Sequence, residues 1–145
     1  MPIPEFENNG DLPEGLHPAT FDEVLAHFGT GSLQRESVTK ILTHVYSVVL
    51  ATGHLERFII YGSYITAKSN PHDVDIFLVM AEAFEFDKLV GDAKLIFSHG
   101  EAQPRLGASI FWVTRGTSLA NIDFLMAGWQ TKRDKTLRGI IEVVL

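Results

Sequence analysis

The chain contains no cysteine, and that absence removes disulfides, thiolate nucleophiles and thiolate zinc sites together. A metal ion here has to be held by oxygen or imidazole, and the composition fits a reducing compartment. Long hydrophobic runs are missing as well. No stretch approaches the roughly 20 apolar residues of a membrane-spanning helix, and the opening MPIPEFENNGDLPEG has neither the basic segment nor the apolar run of a signal peptide. A cytoplasmic protein with no membrane partner is expected. Positive charge is in deficit, with 12 Lys and Arg against 18 Asp and Glu and a formal net charge of −6. General nucleic-acid binding is therefore not expected, because that affinity comes mainly from Lys and Arg neutralising phosphates. Internal repeats and low-complexity segments are absent too, so neither a solenoid nor a disordered linker is expected.

What is present is 145 residues, 46% hydrophobic and 21% charged, the make-up of one domain over 1–145 able to bury a single core. Residues 1–18 carry Pro2, Pro4, Gly10, Pro13, Gly15 and Pro18 without periodicity and read as an extended N-terminal arm. Thr20 and Glu23 have capping-box spacing, and Phe21, Val24, Leu25 and Phe28 share a helical face before Gly29. Ser32 opens a longer helix with an apolar stripe of Leu33, Val38, Ile41, Leu42, Val45, Val48 and Val49, ended by Gly53. Strands are predicted at 57–61, 73–80, 108–114 and 139–145, with helices over 86–97 and from Ser118 to Trp129. The order αα-β-β-α-β-α-β predicts an α/β protein of the α+β kind, a mixed β-sheet flanked by helices. The basic cluster Lys132, Arg133, Lys135 and Arg138 reads as a solvated helix end or turn.

The segment with chemical content is Tyr61-Gly62-Ser63 followed by Asp73-Val74-Asp75. Gly62 at a strand end lets the backbone turn sharply against a ligand, and Ser63 offers a hydroxyl and an amide to a phosphate. Asp73 and Asp75 are two apart on a strand, so their carboxylates leave the same face about 7 Å apart. Each half alone has a plain reading, a Gly-Ser turn and a solvated strand start. Taken together, between two apolar strands, they read as a ligand or metal site. Hard oxygen donors of this kind suit Mg²⁺ or Mn²⁺, which bind through one or two carboxylates together with substrate phosphates.

G-S followed nine residues later by D-V-D between two strands resembles the signature of the nucleotidyltransferase superfamily with the polymerase-β-like fold, including the minimal nucleotidyltransferases of bacteria. The resemblance extends from Gly10-Asp11-Leu12-Pro13 through Trp129, Gln130 and Arg133 to Arg138-Gly139-Ile140, and points to a small uncharacterised bacterial family of that superfamily. It implies a nucleotidyltransferase-like fold, catalytic metal ligands at Asp73 and Asp75, and phosphate contacts at Gly62 and Ser63. ATP or another nucleoside triphosphate is the implied substrate, with a hydroxyl on a protein or another molecule as acceptor. The superfamily commonly uses a third carboxylate on a following strand, and the strand Ala108 to Thr114 has no acid. Ser109 can at best position a water there, with Glu142 and Glu101 as acids from elsewhere. The alternative is thus a catalytically impaired nucleotide-binding or protein-interaction module, as in toxin–antitoxin pairs. A phosphodiesterase using the same aspartates lacks a visible base.

The six histidines, at positions 17, 27, 44, 54, 72 and 99, include no i, i+4 pair of histidines with an intervening acid such as a helical zinc site requires, so no zinc site is expected. His72, Lys68 and Ser69 read as solvated loop residues beside the site. Trp129 reads as core, or else as a base-stacking element with Gln130 and Arg133.

Overall fold

In the computed structural model, which describes residues 3–98 and 100–145, the chain first joins regular structure at Leu16–Thr20 (β1). His99 lies outside the described residues. The arm expected over 1–18 is therefore shorter, because its last residues enter the sheet. β1 pairs with a single strand, Ile140–Val144 (β5), in parallel register from Leu16 with Ile140 to Thr20 with Val144. As an edge strand it tolerates Pro18, whose missing N–H costs nothing on the free side. That proline and the lack of alternation hide the strand in the sequence.

Local chemistry sets the two helices that follow. Thr20 Oγ1 accepts from the Glu23 amide at 3.1 Å and Glu23 Oε1 accepts from the Thr20 amide at 2.8 Å, the reciprocal cap expected at the start of Phe21–Phe28 (α1). Ser32 Oγ accepts from the Arg35 amide at 3.0 Å and opens Leu33–Ala51 (α2). α2 buries Val38, Leu42, Val45 and Val49 as expected. Leu33 departs from the expected stripe, since it is 84% exposed in the first turn, and the position that continues the buried face there is Arg35.

Leu55–Tyr61 (β2) and Val74–Met80 (β3) pair antiparallel, and Ala108–Thr114 (β4) runs parallel to β3. The helix expected over 86–97 is broken at Leu89 and Val90, leaving a 3-10 turn at Phe86–Lys88 and Gly91–Phe97 (α3). A further helix, Ala102–Leu106 (α4), was not expected, and it stops at Gly107 with φ +81°. Leu119–Gln130 (α5) starts on the Ser118 cap and leads to β5. The result is the α+β fold that the pattern predicts, with five strands where four were expected, in the order β1-β5-β2-β3-β4. Among the described residues, no helix is long and apolar enough to cross a membrane.

Both faces of the sheet are covered. Tyr46 of α2 packs edge-on against Phe58 at 5.1 Å, and Phe97 of α3 against Trp112 at 5.5 Å. On the other face Trp129 of α5 lies 5.8 Å from Phe77 and 5.6 Å from Phe111. β3 runs between these layers with Ile76 through Met80 buried, which is why it is apolar on both faces.

Candidate active site at the strand ends

The strand directions bring one end of β2 together with the starts of β3, β4 and β5. Tyr61 pairs with Asp75, and Asp75 pairs with Ser109; the register of Ile60 with Ile141 brings Gly62 and the residues just before β5 to the same edge. All four residues expected from the sequence therefore meet there: Gly62, Ser63, Asp73 and Asp75.

Gly62 has φ +81° and ψ −163°, a region open essentially to glycine alone. A Cβ on Gly62 would stand 1.9 Å from Asp75 Oδ2, so the Asp75 carboxylate lies directly against the Gly62 backbone. Burial and the neighbouring Asp73 push the Asp75 carboxyl up to about 6, against the opposing pull of Arg138. Tyr61 is also pushed up, by burial first and then by Asp75 and Asp73. Ser63 begins a 3-10 turn whose carbonyl accepts from the Thr66 amide at 3.2 Å and from Thr66 Oγ1 at 2.7 Å.

What holds this loop in place escapes a sequence reading. Arg35 is buried and donates from Nη1 to the carbonyls of Phe28 at 3.1 Å and Tyr64 at 2.7 Å. Its Nη2 donates to Thr66 O at 3.1 Å and to Lys68 O. Burial lowers its pKa, and the carbonyls replace the hydration it has lost. Ser32 Oγ donates to Ser69 O at 2.6 Å and Gln34 Nε2 to Pro71 O at 3.1 Å. The first turns of α2 thus pin the segment between Ser63 and Asp73 from behind. The available signal was a lone arginine three and seven residues ahead of buried Val38 and Leu42.

The N-terminal arm closes the other side. The Ala67 amide donates to Gly10 O at 2.8 Å, and the Gly139 amide to Leu12 O at 3.0 Å. Between them Asp11 is 5% exposed and accepts from Lys132 Nζ at 2.8 Å. Lys132 and Arg138 are therefore not a solvated turn, as expected from the sequence; Arg133 and Lys135 are exposed and fit that description. Gln130 is not free for a nucleotide, because its Oε1 accepts from the Gly15 amide at 3.0 Å. Trp129 packs as core, stacking on Tyr61 at 4.4 Å. A cavity of about 260 Å³ beside it is lined by Tyr61, Ser109, Phe111 and Trp129.

Of the two acids considered as a third carboxylate, one is committed elsewhere. Glu142 receives Arg57 Nε and Nη2 at 2.8 Å each. Glu101 is exposed ahead of α4. Among the described residues no group of three or more His, Asp or Glu side chains is arranged to hold a metal. The two aspartates nevertheless suit a divalent cation: both are hard oxygen donors, they repel each other, and metals such as Mg²⁺ take their remaining ligands from water and phosphate. His72, next to Asp73 in the chain, is exposed, as are Lys68 and Ser69, which line a cavity with His27 and Thr30.

A family model described as a family of unknown function (DUF6932) matches residues 4–144. The chain belongs to that family. The match spans the arm, the sheet and the strand-end cluster, so the family is defined by the whole fold and not by the Gly62 to Asp75 segment alone. No curated protein and no solved structure matches the chain.

Proposed function

We propose that the protein is a nucleotidyltransferase-like, divalent-metal-dependent protein that binds a nucleoside triphosphate at the strand ends. In the cytoplasm it transfers the nucleotidyl group, AMP when the substrate is ATP, to a hydroxyl of a protein or another acceptor. The observation that carries this reading is the seating of Asp75 against Gly62, where any side chain at position 62 would collide with the carboxylate. A buried carboxylate beside a second acid is costly unless a cation answers it. Keeping it against a Gly-Ser turn is what a site for a metal-bound phosphate requires.

Asp73 and Asp75 would hold Mg²⁺ or Mn²⁺, and Gly62 and Ser63 would meet the phosphates. The bound metal supplies neutralising charge and polarises the phosphorus. The acceptor oxygen bonds to the α-phosphorus, the bond from that phosphorus to its bridging oxygen breaks, and pyrophosphate leaves with the electron pair. The acceptor proton passes to water. The aromatic cavity along Tyr61, Phe111 and Trp129 offers flat surfaces for a base on the β4 side.

One observation favours a second reading, a module that binds nucleotide without transferring it. Ser109 stands directly beside Asp75 on β4, on the strand where the resemblance calls for the third acid, and Glu142 is taken by Arg57. Labelled ATP with Mg²⁺ or Mn²⁺ and candidate protein acceptors separates the two. Transfer that is lost in Asp73→Ala and Asp75→Ala supports the enzyme. Binding of Mn²⁺-ATP that Asp75→Ala removes, with no product, supports the module, and absence of both overturns the proposal.

A further inference from the structure

Three arginines are buried or half-buried in this chain, and their donors are used differently. Arg35 spends its two terminal nitrogens on four carbonyls. Arg57 is paired in bidentate fashion with Glu142. Arg138 has one long approach, Nη1 to Asp11 Oδ1 at 3.9 Å, which is beyond a hydrogen bond. Its Nε is buried and has no hydrogen-bond partner. Asp11 is already satisfied by Lys132 at 2.8 Å, so a single carboxylate answers two cations.

The position of Arg138 matters as much as its partners. Its amide donates to Gln130 O at 2.9 Å, and Thr131 bridges to Leu137, so residues 131–137 fold back as a turn just ahead of β5. β5 is separated from β3 by β2, two strand spacings or about 10 Å. An arginine side chain and a phosphate chain together span that gap. A cavity of about 400 Å³ lies at the turn, lined by Thr131, Lys132, Arg133, Asp134 and Arg138.

We infer that Arg138, seconded by Lys132, is an oligophosphate clamp on the β5 side of the strand-end site, and that buried Asp11 keeps the two cations in place. The inference deepens the nucleoside triphosphate reading and rests on it for the identity of the anion. A guanidinium presents its donors as a planar fork that matches phosphate oxygens, and Nε is part of that fork. Phosphate oxygens would take the donors that Asp11 leaves unused. With the metal held at Asp73 and Asp75, the triphosphate then lies across the end of β2, with its charge met from both sides.

The test is calorimetry on the intact chain with three probes: tripolyphosphate without metal, Mn²⁺-ATP, and adenosine. The variants are Arg138→Gln, Arg138→Lys and Asp75→Asn, each checked by thermal melting. Arg138→Gln is expected to weaken tripolyphosphate by about 10- to 100-fold, the worth of a charge-assisted pair of hydrogen bonds. Arg138→Lys, which keeps the charge that Asp11 faces, is expected to weaken it by about 3- to 10-fold through loss of the fork. Should the Gln variant fail to fold, the Lys variant decides. Adenosine binding is expected to be the same in every variant. Tripolyphosphate affinity that is unchanged in the folded variants, or no tripolyphosphate binding at all, overturns the clamp. Mn²⁺-ATP binding that still depends on Asp75 would then leave the nucleotide site standing. If instead tripolyphosphate depends on Arg138 while Mn²⁺-ATP is indifferent to Asp75→Asn, the clamp stands and the metal-dependent reading fails.

Discussion

Two carboxylates rise from the same face of the sheet, on either side of β2, and the fold treats them in opposite ways. Glu142 lies opposite Ile59 and receives both donors of Arg57. Asp75 lies opposite Tyr61, with burial and then Asp73 raising its pKa and Gly62 against its oxygen. The first pair is closed, since donor and acceptor cancel within the chain. The second has no salt-bridge partner of that kind among the described residues, which is where the proposed cation would sit. The difference is what supports the proposal of a functional role for Asp75, without appeal to motif.

The largest way to break the contrast is Gly62→Ala. It meets both the forbidden backbone region and the Asp75 carboxylate, and should cost about 3 to 5 kcal/mol of stability. Denaturant unfolding checks this. Adding Asp75→Ala to the same chain should recover the part due to collision and leave the backbone strain.

Next in size are two substitutions expected to have opposite signs. Glu142→Gln leaves half-buried Arg57 without its counter-charge and should destabilise by about 1 to 2 kcal/mol. Asp75→Asn should stabilise the metal-free fold at neutral pH by a similar amount, about 1 to 2 kcal/mol after allowance for solvent screening, while removing Mn²⁺-ATP binding. Melting of both variants at pH 7.5 without metal, in a buffer on the order of 0.1 M ionic strength, would contradict the comparison if the signs agree.

A pH series sharpens the same point. The Asp75 pKa is raised from 3.8 to about 6, so between those values the folded chain holds a proton that the unfolded chain does not. Its contribution to stability is therefore fully present below the lower value and is lost as pH rises through the upper one. The melting temperature of wild type relative to Asp75→Asn should fall from acid to neutral pH and level off above the upper value. A flat difference would place the Asp75 carboxyl in an ordinary environment.

The smallest expected effect comes from Ser109→Asp, which adds a third acid next to Asp75. It should destabilise the metal-free fold by about 1 kcal/mol or less and tighten Mn²⁺ binding. Higher transfer activity in this variant would identify the missing acid as what limits the wild type.

Much of this was legible beforehand because its signals are local. The Thr20–Glu23 and Ser32 caps, the apolar runs of β2, β3 and β4, and the spacing of Gly62, Ser63, Asp73 and Asp75 are all written within a few residues. β1 was not legible, because an edge strand with Pro18 needs only one partner and shows no alternation. Arg35 and Asp11 were missed for a different reason: each is charged and buried, and composition rules place charge outside. Their partners lie 29 residues away at Tyr64 and 121 away at Lys132.

The sequence by itself determined the fold class, because hydrophobic period and capping residues act over a single turn or strand. It also supplied the residue types Gly62, Ser63, Asp73 and Asp75 close together in the chain, although Asp73 lies one residue ahead of β3 and not on the strand expected from it. Only the tertiary structure decided that Glu142 is paired with Arg57 while Asp75 has no such partner, and that Lys132 and Arg138 turn toward buried Asp11 and not to solvent. Those outcomes depend on strand order and on the distance between groups far apart in the chain, and electrostatics is settled by distance and burial.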